Sequence, residues 1–215
     1  MLWFSFAVKM KILISAGPTL EPIDAVRFLS NRSSGRMGVA LAQAGLSKGD
    51  EVTVVHGPLS VSVPERGRWI AVETALEMLD ALRKEMASAD VLIMAAAVCD
   101  LRIESPHGTK REKENLKMLS LVENPDLVGT LSKEFPEVFK VSFSLENSFD
   151  PTRPLKKMKK KKTDWVVYNA LESMGADRSS FGVVDEHGGN VLEPSCSDKV
   201  EFAIRLVDVI HERLD

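Results

Sequence analysis

The sequence predicts an α/β protein with a doubly wound, mostly parallel sheet flanked by helices. Short apolar runs of strand length, such as KILISA at residues 11–16 and VLIMAAAV at 91–98, alternate with amphipathic segments of helix length. Strand-helix-strand units of this kind place successive strands parallel, and helices then cover both faces of the sheet. The chain ends differently, with a hairpin that turns at Gly188-Gly189 and one last helix. We therefore expect a Rossmann-like sheet with a C-terminal β-hairpin and helix.

Apolar periodicity and helix-boundary residues place the individual elements. The predicted strands are short apolar runs bounded by turn residues: 11–16, 51–56, 69–72, 91–98, 138–145 and 165–168, with a hairpin at 181–192. The predicted helices span 35–48 and 74–88, with two more that start at Asn124-Pro125-Asp126 and at Ser197. The core-facing stripes are Leu76, Leu79, Leu82 and Met86 in the second helix, and Val200, Ile204, Val207 and Ile210 in the last.

Composition indicates one domain over residues 11–215, preceded by an N-terminal extension at 1–10. The chain has 215 residues, a net charge of -3 and 27% charged residues, a profile typical of a globular protein, and nothing in the overall composition indicates nucleic acid. The apolar start lacks a basic segment and a cleavage pattern, so we expect neither a signal peptide nor a membrane span. Two cysteines and four histidines without metal-ligand spacing predict no disulfide framework, no protein metal site and a cytoplasmic location.

The stretch Asn31 to Gly38 at the start of a helix is suited to an anion. Two serines, Ser33 and Ser34, and the glycines around the helix start allow a ligand to approach unpaired backbone N–H groups, where the helix dipole favours negative charge. An ordinary helix cap, in which the serines bond their own backbone, explains the same residues equally well. The connection at 17–34 is long for an α/β unit, and long loops often carry function.

Other polar features follow the predicted strands and leave alternatives open. A dinucleotide-dependent dehydrogenase is disfavoured, because no G-x-G-x-x-G joins the first strand to its helix and His56 stands where an acidic residue would bind ribose. Asp100, at the end of the central strand, suits either a ribose or base contact or a turn cap. Cys99 lacks an evident activating partner, which favours a buried filler over a nucleophile.

Six lysines between residues 156 and 162 form the densest charge run in the chain. A solvated helix face or a nucleic-acid patch would explain them. If the segment is helical, however, Lys157 and Lys161 share one face, where two like charges repel unless an anion lies between them. The basic loop near Lys110 would supply further cations, as polyphosphate chemistry requires. A non-catalytic nucleotide-binding or nucleic-acid-binding protein is the alternative interpretation.

The ordered segments of this chain resemble phosphopantothenate-cysteine ligase, also called phosphopantothenoylcysteine synthetase, of the bacterial coenzyme A biosynthesis flavoprotein. The resemblance runs from about Lys11 to the C-terminus and rests on SAGPTLEPIDAVRFLSNRSSGRMG, AAAVCD, KREK, NPDLV, VSFSLE and KKMKKKKTDWVVYNAL. It implies a ligase that activates 4'-phosphopantothenate as an acyl-nucleotidylate, with release of pyrophosphate, and then joins it to L-cysteine. CTP is favoured over ATP, and Mg²⁺ is held through the nucleotide phosphates.

The resemblance also implies roles for individual residues. Asn31 matches the asparagine associated with the acyl-nucleotidylate, and Lys110 matches the lysine of a mobile loop that acts on the phosphates. The other residues that match the family's nucleotide site are Gly17, Ser33, Ser34, Gly35, Met94, Ala95, Ala96, Asp100, Lys113, Pro125, Asp126, Leu127, Val128, Phe143, Lys157 and Lys161.

Three departures from the family pattern stand in these segments: Arg36 replaces a commoner lysine, Cys99 an alanine, and VSFSLE is a looser form of the strand around Phe143. The family further implies a homodimer. The flavin-binding decarboxylase half is not part of the resemblance, so we expect no flavin here and a separate phosphopantothenoylcysteine decarboxylase that acts next.

Overall fold

The computed structural model describes residues 9–173 and 178–215, in which strands and helices alternate along most of the chain. The strands are β1 (Lys11–Ala16), β2 (Leu20–Pro22), β3 (Phe28–Ser30), β4 (Glu51–His56), β5 (Arg68–Ala71), β6 (Val91–Met94), β7 (Leu101–Ile103), β8 (Leu121–Glu123), β9 (Phe139–Glu146), β10 (Trp165–Ala170), β11 (Arg178–Asp185) and β12 (Asn190–Asp198). The helices are α1 (Arg36–Lys48), α2 (Ala75–Met86), α3 (Leu127–Glu134), α4 (Thr152–Lys161) and α5 (Lys199–Leu214), with short 3₁₀ helices at Lys113–Leu116 and Leu171–Ser173.

Eight of these strands form one sheet in the order β12-β11-β10-β9-β6-β1-β4-β5. The strands from β10 to β5 are parallel to their neighbours, whereas β11 and β12 are antiparallel. Helices α1 and α5 pack on one face, and α2 and α3 on the other, so both faces are covered. The doubly wound fold with a C-terminal hairpin and helix, predicted from the sequence, is confirmed.

The central strand β1 shows why both faces are apolar. Ile12 and Ile14 point into the core beneath α1 and α5, and Leu13 points into the core beneath α2 and α3. All three are at most 1% exposed. A strand buried on both sides is mostly apolar, which is the pattern of the KILISA segment between Lys11 and Ser15.

Two helix starts differ from the sequence prediction. Asp126, and not Asn124, is the N-cap of α3, where its carboxylate accepts from Gly129 N–H at 3.2 Å. Asp198, and not Ser197, caps α5 by accepting from the N–H groups of Val200 and Glu201. In both cases a carboxylate one or two residues downstream takes the capping position, where it also interacts favourably with the helix dipole.

The predicted apolar stripes are wrong at three positions. Leu76 in α2, and Val200 and Ile204 in α5, are exposed. The buried stripe of each helix is rotated from the predicted one, so Met78 takes the place of Leu76 in the core, and Phe202, Ala203 and Leu206 are buried in α5 beside Val207 and Ile210.

Two predicted segments also have different extents. The strand predicted at 91–98 ends at Met94, and the following alanines leave the sheet. The connection at 17–34 contains the small hairpin of β2 and β3, and the polar segment at 101–120 contributes β7, which pairs with β8.

Most of the predicted N-terminal extension, residues 1–8, lies outside the described residues. Met10, which the prediction assigns to the extension, is buried in the core. Its N–H donates to Asp50 Oδ1 at 3.1 Å, and the other oxygen of Asp50 lies 2.9 Å from His211 Nε2. This buried contact joins the start of β1 to the end of α5.

Gly38 allows α1 to approach β1 closely, because a Cβ at this position would lie 2.4 Å from Ala16 Cβ. We predict that Gly38→Ala lowers the free energy of unfolding by about 1–3 kcal/mol, since α1 must shift away from the strand. Urea denaturation measures the change. The control is Gly108→Ala, which meets no atom within 4 Å. Equal stability of the two variants would contradict the role of this close approach.

Candidate active site

The site lies at the carboxyl ends of the parallel strands. From β1 the chain continues to β4 on one side of the sheet and later to β6 on the other, so a crevice opens between the ends of β1 and β6. Crevices at such switch points are where open α/β sheets bind ligands. Of the predicted residues, Gly17 directly follows β1, Met94 is the last residue of β6, and Ala95, Ala96 and Asp100 come after it.

Hydrogen bonds hold the two sides of the crevice together. Ala97 N–H donates to Gly17 O at 2.8 Å, and Thr19 Oγ1 accepts from Cys99 N–H at 3.0 Å. Ser15 in β1 contributes a side-chain contact, since its hydroxyl accepts from Ala96 N–H at 3.2 Å. The backbone of the predicted segment 94–100 is therefore fixed by the strand beside it.

Asn31 bridges this crevice with its side-chain amide. Nδ2 donates to Val98 O at 2.9 Å and to Ala97 O at 3.3 Å, so carbonyl partners are available for both amide hydrogens. The residue is exposed, and its Oδ1 is the group left for a ligand. The amide donor is therefore engaged by the backbone, and the association of Asn31 with the acyl-nucleotidylate stays a prediction.

The stretch from Asn31 to Gly38 has features of both interpretations of the sequence, the anion site and the ordinary helix cap. Gly17 and Gly35 have φ values of 73° and 77°, which favour glycine. Ser33 Oγ and Ser34 Oγ accept from nearby backbone N–H groups, but at long distances of 3.4 and 3.5 Å. The N-cap of α1 is Gly35, without a side-chain cap, and the first turn has no acidic residue. The N–H groups at this helix start thus favour an anionic ligand.

Lys110 lies in a loop that the β2–β3 hairpin holds. Arg111 N–H donates to Asp24 Oδ2 at 3.1 Å, and Arg111 O accepts from Arg27 Nη2 at 2.7 Å. Asp24 is buried, and its hydrogen bonds with the Arg27 guanidinium hold the pKa of this carboxyl well below its usual range. Both backbone groups next to Lys110 are therefore anchored.

The side chains of Lys110 and Lys113 are exposed, and neither forms an ion pair with any described residue. Lys113 begins the 3₁₀ helix that follows the anchored residue. The loop thus presents two cations whose charges are available to an anion.

Lys157 and Lys161 lie on the same face of α4, as predicted, but each faces a carboxylate. Lys157 Nζ lies 2.6 Å from Glu146 Oε1, and Lys161 Nζ lies 3.0 Å from Asp126 Oδ1. These ion pairs relieve the repulsion between the two lysines. They also bring α4 to the end of β9 and to the start of α3, where the predicted residues Pro125, Asp126, Leu127 and Val128 lie.

Asp100 is exposed at the end of the central segment, and its backbone is fixed by Asn124. Asn124 N–H donates to Asp100 O at 2.8 Å, and Asn124 Nδ2 donates to Cys99 O at 2.9 Å. Cys99 is buried, and burial raises the pKa of its thiol, which favours the filler interpretation. Phe143 in β9 is half-buried against the core beneath α1 and α5.

Four residues around the site were missed from the sequence: Ser15, Asp24, Asn124 and Glu146. Asp24 carries a local signal, since an aspartate two and three residues before bonded N–H groups is typical of an Asx turn. Ser15 is the single hydroxyl residue in β1, and every other residue of this strand after Lys11 is apolar. Glu146 ends the VSFSLE motif, but its role was missed because its charged partners, Arg153 and Lys157, come from helix α4.

The chain matches the family described as the DNA/pantothenate metabolism flavoprotein C-terminal domain over residues 7–214. It belongs to this family. The match confirms the resemblance recognised in the ordered motifs, since it covers nearly all of the chain.

Relatives of this flavoprotein C-terminal domain share the sequence and the fold. Coenzyme A biosynthesis bifunctional protein CoaBC of Vibrio parahaemolyticus is 39% identical over 209 residues, which cover 94% of this chain and 52% of that protein. The crystal structure of the C-terminal domain of a protein with the same name has a TM-score of 0.84 at 30% identity and covers 98% of both chains. The chain spans about half the length of the curated relatives it matches.

A more distant structure has the same fold. Cab2 in complex with phosphopantothenate-cysteine has a TM-score of 0.77 at 16% identity, covering 95% of this chain and 87% of Cab2.

Within residues 9–173 and 178–215 of the flavoprotein C-terminal domain, no three His, Cys, Asp or Glu side chains form a group that could hold a metal ion. No helix in the same residues is long and apolar enough to cross a membrane.

The anchor at Asp24 can be tested by hydrogen exchange. We predict that Asp24→Ala raises the exchange rate of the Arg111 amide and its loop neighbours about tenfold or more, because the amide loses its charged acceptor. Asp185→Ala is the matched control, since Asp185 accepts from two backbone N–H groups in the distant β11–β12 turn. Unchanged exchange in residues 104–117 of the Asp24 variant would show that the loop is held by other contacts.

Proposed function

We propose that this chain is a phosphopantothenate-cysteine ligase that forms 4'-phosphopantothenoyl-L-cysteine, with CTP as its preferred nucleotide over ATP. Family membership and the phosphopantothenate-cysteine bound to the structurally similar Cab2 support the substrate class. The observation that carries the proposal is the Asn31 amide, which is bound to the segment after β6 and lies a few residues before an uncapped helix start. Lys110 adds an available cation from an anchored loop.

The proposed reaction brings two anionic groups together, the carboxylate of 4'-phosphopantothenate and the phosphates of the nucleotide. In the first step, a carboxylate oxygen of 4'-phosphopantothenate attacks the α-phosphorus of the nucleotide, and the bond to pyrophosphate breaks. In the second step, the cysteine nitrogen attacks the acyl carbon, the bond to the nucleotide phosphate breaks, and the nitrogen loses a proton to the surroundings. Cations such as Lys110 stabilise the charge that develops on the phosphates.

Asn31 suits the second step. Its amide hydrogens face two backbone carbonyls, so the open group is a hydrogen-bond acceptor. An acceptor orients the N–H of an attacking amine, and it does not bind a carboxylate or phosphate oxygen favourably. We therefore assign Asn31 to orienting the cysteine amine toward the acyl-nucleotidylate.

Magnesium fits this site as a companion of the nucleotide. The described residues provide no cluster of three metal ligands, and Mg²⁺ commonly uses phosphate oxygens and waters with few protein ligands. Bound in this way, the ion would offset phosphate charge. The protein itself contributes the helix start of α1 and the lysines of the loop and of α4.

A homodimer is supported by the exposed apolar residues of the two small hairpins. Val26 is 61% exposed and Phe28 54%, and Leu101 and Leu121 are also exposed. These hairpins border the crevice, so a second copy on this surface would lie next to the substrates.

Cys99 and Cys196 are free thiols, which suits the reducing cytoplasm. A separate decarboxylase would consume the product.

An assay with both nucleotides tests the function directly. We expect pyrophosphate release and formation of the amide product when 4'-phosphopantothenate, L-cysteine and Mg²⁺ are supplied with CTP, and a lower rate with ATP. Absence of product with both nucleotides would contradict the ligase. Binding of single-stranded or duplex nucleic acid with a steep salt dependence, in place of selective nucleotide binding, would support the non-catalytic alternative.

Removal of the loop cation should slow the reaction without affecting the fold. We predict that Lys110→Gln lowers turnover by about 10²- to 10³-fold, the scale for loss of one preorganised electrostatic contact. Steady-state kinetics measure the effect. Lys117→Gln, an exposed lysine in the same segment, is the control and should retain normal turnover. A normal rate for the Lys110 variant would exclude this residue from the mechanism.

A carboxylate at position 31 should impair the second step more than the first. In Asn31→Asp, an oxygen replaces the donor that faces Ala97 O and Val98 O, and the added charge opposes the intermediate's phosphate. We expect pyrophosphate to be released in a single turnover while amide formation falls about 10²-fold or more. Rapid-quench analysis separates the two products. Asn190→Asp, in the distant hairpin, is the control, and equal yields from both variants would refute the assignment.

A further inference from the structure

Glu146 is a nearly buried carboxylate at the carboxyl edge of the sheet. It is the last residue of β9, and its side chain is 5% exposed. A charged group with so little access to water is costly unless it is paired and hydrogen-bonded. The contacts of Glu146 therefore indicate what the residue does.

Three side chains meet this carboxylate. Oε1 accepts from Lys157 Nζ and from Ser144 Oγ, both at 2.6 Å, and Oε2 lies 3.4 Å from Arg153 Nη1. Burial by itself raises the pKa of Glu146, but the hydrogen bonds from Lys157 and Ser144 outweigh it, and the net pKa is lowered. The carboxylate is therefore ionised at neutral pH.

The ammonium group of Lys157 is hydrogen-bonded on the side that faces strand β9. Its Nζ contacts Glu146 and lies 3.3 Å from Ser144 Oγ, which accounts for two of its three N–H groups. The side chain is 40% exposed, so the third N–H faces solvent. One carboxylate between Lys157 and Arg153 leaves a net positive charge, and the cluster can still attract an anion.

The neighbouring ion pair of Lys161 and Asp126 is more exposed to solvent at its carboxylate than the pair of Lys157 and Glu146. Both of its side chains are about one-third to one-half exposed, at 34% and 45%. Such a pair is easily exchanged for water or a ligand. Of these two pairs, the Glu146 pair is the one that combines a buried acceptor with a second hydrogen bond from a serine, and this arrangement fixes the position of the lysine.

We propose that Glu146 is a positioning residue that, together with Ser144, holds the Lys157 ammonium toward the phosphates of the bound nucleotide. The proposal rests on the proposed function and adds a residue to it. A fixed ammonium needs no reorganisation when the nucleotide binds, so positioning increases nucleotide affinity.

Glu146→Gln separates positioning from simple neutralisation. If Glu146 only cancels the charge of Lys157, removing its negative charge makes the site more positive and lowers the KM for CTP. If Glu146 positions Lys157, the KM for CTP rises about tenfold, while the KM for 4'-phosphopantothenate stays within about twofold. Glu134→Gln is the matched control, because Glu134 pairs with Arg83 at 2.7 Å on the opposite end of α3.

A double-mutant cycle gives the decisive result. We expect Glu146→Gln to have no further effect on the KM for CTP when Lys157→Gln is already present, because the positioned group is gone. Additive effects, or an unchanged or lowered KM in the single variant, would overturn the proposal. If Glu146→Gln does not fold, Ser144→Ala replaces it and should raise the KM for CTP about threefold, since it removes a neutral hydrogen bond. An unchanged KM would then overturn the proposal.

These outcomes are distinct from failure of the proposed function. If the wild-type protein neither binds CTP in calorimetry nor forms product, the ligase proposal fails and the positioning proposal fails with it. If the wild-type protein is active and the nucleotide KM does not respond to Glu146 or Ser144, the positioning proposal alone is wrong.

Discussion

The hydrogen bonds between the segments that follow β1 and β6 are the constraint on which the site depends. The chain leaves the sheet at Met94, so the next backbone groups need partners outside the regular ladder. Gly17, Thr19 and the Ser15 hydroxyl supply them. The Asn31 amide donates to the carbonyls of Ala97 and Val98 in the same segment. The residues that could meet a substrate are thus also the residues that complete the backbone of the crevice.

Charge at the site is organised in two ways. The lysines of the loop are exposed and unpaired with any described side chain, whereas those of α4 face carboxylates. A cation without a partner is available to an anion but is not held in one orientation, and a cation beside a buried carboxylate is held but partly neutralised. The two groups therefore suit different tasks, with mobile charge compensation from the loop and a fixed contact from Lys157.

The sheet could be predicted from sequence because its signal is local. Strands β1 and β4 begin and end where the apolar runs predict, since each strand must be buried on both faces. Helix caps were less predictable, because Asp126 and Asn124 are both suitable residues and tertiary contacts decide between them. Asn124 instead fixes the backbone at Cys99 and Asp100.

The site was predictable where a motif carried it and not where the fold assembled it. Asn31, Lys110, Lys157 and Lys161 were named from the ordered motifs, and their roles stay predictions. The contacts of Asp24 with Arg111 and of Glu146 with Lys157 join residues from different elements, across 87 and 11 positions of the sequence. No local pattern encodes such pairs. The direction of the Asn31 amide likewise depends on carbonyls that lie 66 and 67 positions away.

The anchor at Arg111 ties the polar loop to a hairpin that lies far away in the sequence. Both the N–H and the carbonyl of Arg111 are bound to residues of the β2–β3 turn. Lys110 is covalently joined to this anchored residue, whereas Lys113 lies two residues beyond it, at the start of the 3₁₀ helix. The backbone position of Lys110 is therefore set by the hairpin, so a substitution in the β2–β3 turn would displace a cation of the site without touching that cation.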